Sequence, residues 1–550
     1  MMSQYIGSFF KSFVFVLVLA GVLMADGAGQ ADLDKATIMK LKAKSADDLV
    51  AVAALCESAI DSGLSAESEE YARSLWVSCL YERALAMSRP VLAARPVHPR
   101  WPQIRRLVLA ELEKAIEVDE NIGDVHLLAA QLEALPGGNR TNAFESASQA
   151  VELFEDDAQK QAQAYVIRGS FQTDLEKVAE DFELAIKADP RNQDAWRAKA
   201  ATHAQRGETD KAVEAFEKLL EINPTDPLGN QELARIFRNE KQVDKALELL
   251  DKAIDANVHT SGIFMLKADI LSRLGKFGEA AKTLTRALEG DKKNNLIRLV
   301  LAQTQLQNGD IDLAQEQLDT ILDSAKSTEL RDQARTLRSI AYSVKSQFDD
   351  AIRDIRIVLK RADDASRPEL LMYLTRYYTA AQRPSKAIES ASEILELDEN
   401  AWEAYRYRGD AFLSQGKHKE AIRDYESAEQ INDSDSGVLN NLAWVLATSP
   451  DDEVRDGQRA IEVATKACDV TEFKQAHILS TLAAAYAESG DFDKAIEWSS
   501  KAVELDGEEE QLANELASYQ EKKPWRELQK VEEKEQPDTD SDFDELRVAE

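Results

Sequence analysis

Residues 196–224 read WRAKAATHAQRGETDKAVEAFEKLLEINP, and their spacing decides how the rest of the chain is divided. The frame is Trp196-x2-Lys199-Ala200-x2-His203, then Ala212-x3-Phe216, then Pro224. Moving on by 34 residues at a time returns the same small-then-large pair: Ala246-x3-Leu250, Ala280-x3-Leu284 and Ala314-x3-Leu318. Residues four apart share one helical face. Gly207 falls between the two apolar stretches, where the chain has to reverse. Each unit therefore predicts two antiparallel helices across a short turn. Alanine lets the axes approach, and Leu or Phe one turn on fills the neighbouring groove. One pair alone leaves an apolar face exposed; stacking buries it, so stability is shared along the array.

This frame resembles the tetratricopeptide repeat, whose skeleton is W-x2-L-G-x2-Y, then A-x3-F, then P. The resemblance covers about residues 100–509 and extends to exported bacterial proteins built of such arrays. It implies an all-α fold, a right-handed superhelical solenoid of antiparallel helix pairs. The array spans 122–509, with units near 122–155, 162–191, 193–226, 227–260, 261–294, 295–328, 332–365, 368–401, 402–435, 436–474 and 476–509. In the last five units the signature alanines are Ala351, Ala387, Ala421, Ala460 and Ala495, and a longer loop, SPDDEVRDGQ, interrupts the 436–474 unit. Residues 31–121 read as atypical N-terminal helices, a cap or degenerate repeat, with a Pro-rich loop at 89–102 (RPVLAARPVHPRWP). At the other end, 508–521 reads as a polar capping helix and 522–550 as a disordered acidic tail.

Composition narrows the function. Against 67 Lys and Arg stand 100 Asp and Glu, a net charge of −33 over 550 residues. A chain of that charge repels phosphate backbones and anionic membrane surfaces, so neither nucleic acid nor a membrane surface is expected as a partner. Residues 331–383 are the local exception, with 11 basic against 7 acidic side chains, read as a solvated helix face or a receiver for an acidic partner. Cys56, Cys79 and Cys468 read as small buried apolar residues, with a Cys56–Cys79 bridge as the alternative in an oxidising compartment.

Lys11 precedes the apolar run Phe13–Met24, followed by Ala25-Asp26-Gly27-Ala28. This has the form of a signal peptide over 1–27, cleaved after Ala25 or Gly27. A periplasmic or secreted protein is the expectation, with an N-terminal membrane anchor as the alternative. The run is short for a membrane span.

Chemistry-bearing motifs are missing from the sequence. The six histidines have no metal-ligand spacing, and no GxGxxG, GxxxxGK[ST] or GxSxG occurs. No metal, cofactor or catalytic residue is expected, and the chain reads as a non-enzyme. Arrays of this family also occur fused to glycosyltransferases, but the resemblance covers the repeats alone and does not carry that activity.

The resemblance implies that first helices line a concave surface. In the middle units that face carries Arg197, Arg235, Asp269 and Gln303. From residue 368 it turns aromatic and hydrogen-bonding: Tyr373 and Arg376, then Arg406 and Tyr407 with Asp410, then Asn440, Asn441 and Trp444. Tyr, Trp and Arg dominate binding hot spots, and Asn suits an extended peptide backbone. The expected function is a scaffold binding a protein or peptide there. The alternatives are an accessory component of a glycosyltransferase or other enzyme complex, and a self-associating structural protein.

Overall fold

The structure is a computed structural model that describes residues 27–92, 99–256, 258, 260–506 and 508–527. Those residues form 27 α-helices and no strand. The chain divides into two compact units, one ending at Ile263 and the other beginning at Phe264. The signal-peptide expectation lies outside the described residues, apart from Gly27.

Within each unit, consecutive helices pack as pairs: Gln193–Gln205 with Thr209–Ile222 in the first, Trp402–Ser414 with His418–Ile431 in the second. The physical basis is the small residue at the contact. Ala212, Ala246, Ala280, Ala314, Ala351, Ala387, Ala421, Ala460 and Ala495 are all fully buried. Leu250, Leu284 and Leu318, one turn on, are equally buried and fill the space between axes. Between units, a polar residue caps the next first helix: Asn192, Asp226, Asn294 and Asp435 each accept the backbone N–H three residues on.

First helices lie closer to one another than second helices do. Ser436–Thr448 packs on Ala476–Glu488, and Arg367–Ala380 touches Trp402–Ser414, whereas among the described residues no two second helices pack comparably. In each unit the first helices therefore form the inner side. The longer loop of the 436–474 segment is fastened down: Arg455 donates to the Ser449 carbonyl at 2.7 Å and to Glu488 at 2.8 Å.

Two segments differ from the sequence reading. Both ends of the expected loop at 89–102 are helical: the Ala66–Leu92 helix continues through Pro90, and the next helix starts at Trp101. Burial of Val91 beside Val108 and Leu112 holds that last turn in place. The expected tail does not begin at 522. Helix Glu510–Gln520 buries Leu512, Glu515 and Tyr519, and Lys522–Glu527 then returns across the last first helices. Residues 528–550 lie outside the described residues.

All three cysteines are free and buried, Cys56 and Cys79 in one apolar cluster. Burial pushes the Cys56 thiol up to about 12.

Candidate functional site

The inner side of the second unit carries the expected residues on three successive first helices: Arg367–Ala380, Trp402–Ser414 and Ser436–Thr448. Helical geometry places Tyr373 and Arg376 one turn apart on the first of these. Tyr373 is half-buried, its ring 6.0 Å from that of Tyr377. Arg376 is exposed, and neither its guanidinium nor the Tyr373 hydroxyl is hydrogen-bonded among the described residues.

On the next helix, the Arg406 guanidinium lies 5.5 Å over the Tyr407 ring. It also reaches Asp435, the cap of the following first helix, at 3.7 Å. Arg197 does the same six repeats earlier, bonding the capping Asp226. Arg406 thus has a packing role: it ties one unit to the N-terminus of the next.

Asp410 is the polar centre. One of its oxygens, Oδ1, accepts from the fully buried Tyr425 hydroxyl at 2.7 Å and from Asn441 Nδ2 at 2.9 Å. Desolvation raises the Asp410 carboxyl above its ordinary range, against the pull of those donors and of Arg406. Asn441 is therefore engaged between units, and its own oxygen accepts from Asn440 Nδ2 at 3.3 Å. The Asn440 oxygen is buried without a hydrogen-bond partner among the described residues. Trp444 is occupied as well: its indole N–H donates to Glu527 at 3.1 Å.

A second constellation escaped the sequence reading. Arg168, Arg338 and Arg408 each form a forked ion pair with an aspartate on the paired helix: Asp181, Asp354 and Asp424. These aspartates are 3%, 1% and 5% exposed. Arg338 also reaches Asp319 at 2.6 Å and Arg408 reaches Ser392 at 3.1 Å, both on the preceding helix. Each of the latter two arginines thus joins three helices. The available signal was the recurrence of Arg and Asp sixteen residues apart, at 338/354 and 408/424.

The basic surplus at 331–383 is largely engaged in the fold. Arg338, Arg361, Arg367 and Arg383 pair with Asp354, Asp332, Glu393 and Asp349. A depression of about 440 Å³ lies elsewhere, between Phe473, Leu479, Trp498 and Leu505. The Lys501 ammonium stands 3.9 Å over the Trp498 ring there, and Glu504 completes the lining of an open hollow.

Tetratricopeptide-repeat family models match residues 171–227, 271–336, 376–436 and 476–509. Together with the buried signature frame, these matches decide the family. The chain is a tetratricopeptide-repeat protein. A model described as anaphase-promoting complex, cyclosome, subunit 3 matches 205–287 of the same repeat array. DnaJ homolog subfamily C member 3 from Rattus norvegicus is 28% identical over 90 residues, 16% of this chain and 18% of that protein. Its Gallus gallus counterpart is 22% identical over 218 residues, 37% of this chain and 42% of that one. The repeat protein thus spans less than half of the length of either relative. Among solved structures, MamA aligns at 26% identity and TM-score 0.28, covering 32% of this chain and 92% of MamA. The Cut9–Hcn1 hetero-tetramer of the APC/C aligns at 11% identity and TM-score 0.36, covering 81% of this chain and 96% of that one. As a tetratricopeptide-repeat array, the chain is a protein-interaction scaffold in the coarse sense.

Proposed function

We propose that this scaffold is non-catalytic and takes an extended peptide segment of a protein partner on the inner side of the second unit. One observation carries the reading: Tyr373, Arg376 and Tyr407 sit on adjacent first helices with their polar atoms uncommitted among the described residues. Their neighbours Arg406, Asn441 and Trp444 are engaged within the chain. Aromatic rings with free hydroxyls beside a guanidinium suit a backbone carbonyl or an acidic side chain of a peptide. The test is affinity capture with the full chain carrying Arg376→Ala and Tyr407→Ala. Loss of a protein that the wild-type chain retains, with unchanged thermal unfolding, is the expected result. Unchanged capture would exclude this face. Asn441→Ala is a poor probe, because removing a donor from Asp410 changes stability as well.

The location we propose is outside the cytoplasm, on the strength of the Lys11 and Phe13–Met24 pattern. Mass measurement of the mature chain tests it: a protein retaining residues 1–25 in the cytoplasmic fraction would contradict export.

A further inference from the structure

Lys522–Glu527 has the sequence KKPWRE and follows the last helix. Five separate contacts hold it. The Glu527 backbone N–H donates to the Thr448 carbonyl at 3.0 Å. Arg526 approaches the Ala447 carbonyl at 3.4 Å and pairs with Glu488 at 2.7 Å. The Glu527 carboxylate accepts the Trp444 indole N–H at 3.1 Å. Trp525 packs, partly buried, on the apolar cluster that contains Leu482, Leu512 and Tyr519.

The receiving groups form a coherent recognition surface. Carbonyls at the C-terminus of a helix have no partner within it, and the negative end of the helix dipole favours a cation. Ala447 and Thr448 are at that end of Ser436–Thr448 and meet a guanidinium and an N–H. Glu488 is shared: one oxygen holds Arg455 at 2.8 Å while the other holds Arg526. Departure of the segment therefore leaves Glu488 paired rather than stranded, so release does not carry the large cost of an unpaired buried charge. Trp444 lies on the inner-facing helix beside Asn440 and Asn441, so the segment covers one end of the candidate face.

We propose that Pro524–Glu527 is an internal ligand of the inner face, displaced by a partner segment of the same chemistry: extended, with an aromatic residue, an arginine and an acidic residue in succession. This rests on the peptide-binding reading above and adds its regulation and the class of sequence bound. Tethering gives the internal segment an effective concentration near the millimolar range, so it competes with a weak free peptide.

The test uses the full chain and a fluorescently labelled synthetic peptide, KKPWRE, followed by polarisation. Wild-type protein is expected to bind it about tenfold more weakly than a Trp525→Ala, Arg526→Ala variant, in which the site is vacated. Adding Trp444→Phe to that variant, which deletes the indole N–H while keeping a ring, is expected to weaken binding again. Equal affinity of wild type and the vacated variant overturns the proposal, as does indifference to Trp444→Phe. Should the double variant lose its fold by circular dichroism, Arg526→Ala alone is used. Unfolding of that single variant would make the segment part of the core and also overturn the proposal. Failure of Arg376→Ala and Tyr407→Ala to alter partner capture would leave the peptide result standing, so the two readings fail separately.

Discussion

At the scale of the residue, Asp410 shows how far a signature frame leaves chemistry open. Its Oδ1 receives both the Tyr425 hydroxyl and the Asn441 amide, and the second carboxylate oxygen is not needed for either bond. Asp410→Asn keeps that acceptor and removes the charge. The native carboxyl is raised by desolvation, so the folded state holds its proton at a pH where the unfolded chain has lost it. Stability from this group is present below the ordinary aspartate range and is lost as pH rises through the raised value. Asp410→Asn is therefore expected to flatten that fall and to stabilise the protein at neutral pH. Urea unfolding at pH 4 and pH 7 checks it; a variant less stable than wild type at pH 7 contradicts the assignment. Glu515, buried against Ser480 and Gln511 and also raised by desolvation, contributes a fall of the same sign that persists in the variant.

At the scale of the element, the turn inside each pair sets a backbone demand that the side chains do not uniformly meet. Gly207, Gly275, Gly309, Gly416 and Gly490 occupy it with φ between 71° and 84°. In three other pairs the same place holds Lys241, Ser346 and Gln382, at φ of 60°, 58° and 57°. A left-handed residue with a Cβ costs about 1–2 kcal/mol, and glycine returns roughly 0.5–1 kcal/mol of that as unfolded-state entropy. Lys241→Gly, Ser346→Gly and Gln382→Gly should each stabilise by roughly 0.5–1 kcal/mol. The denaturation midpoint should rise with an unchanged slope; a lower midpoint would show that the native side chain supports the turn. The signature alanines and these turns were legible because each follows from spacing within one unit. The forked arginines were not, since Arg338 and Arg408 stand where the frame takes leucine. Reading them as core needs their aspartates, sixteen residues away on another helix.

At the scale of the whole molecule, stability in a stacked array is a sum of near-neighbour terms. A Cβ on Gly409 would lie 2.7 Å from Cε1 of Tyr425, a ring that is fully buried and holds Asp410. Gly409→Ala is expected to cost about 1–3 kcal/mol through this overpacking. Hydrogen exchange should show the loss of protection concentrated between residues 384 and 448, with Gly123–Glu133 and Arg140–Leu153 in the other unit unaffected. A uniform loss across both units would contradict a near-neighbour array.

By itself, the sequence determined the period, the pairing of helices and the buried alanine at each contact. Those features arise from neighbours in the chain, and the side chains that make them repeat every 34 residues or close to it. Tertiary structure alone decided which polar groups of the inner face remain open. Asn441 is closed by Asp410, 31 residues before it, and Trp444 by Glu527, 83 residues after it. No period links those positions: a hydrogen bond depends on where two atoms come to rest, and a short polar segment with one tryptophan carries no repeat to announce its destination.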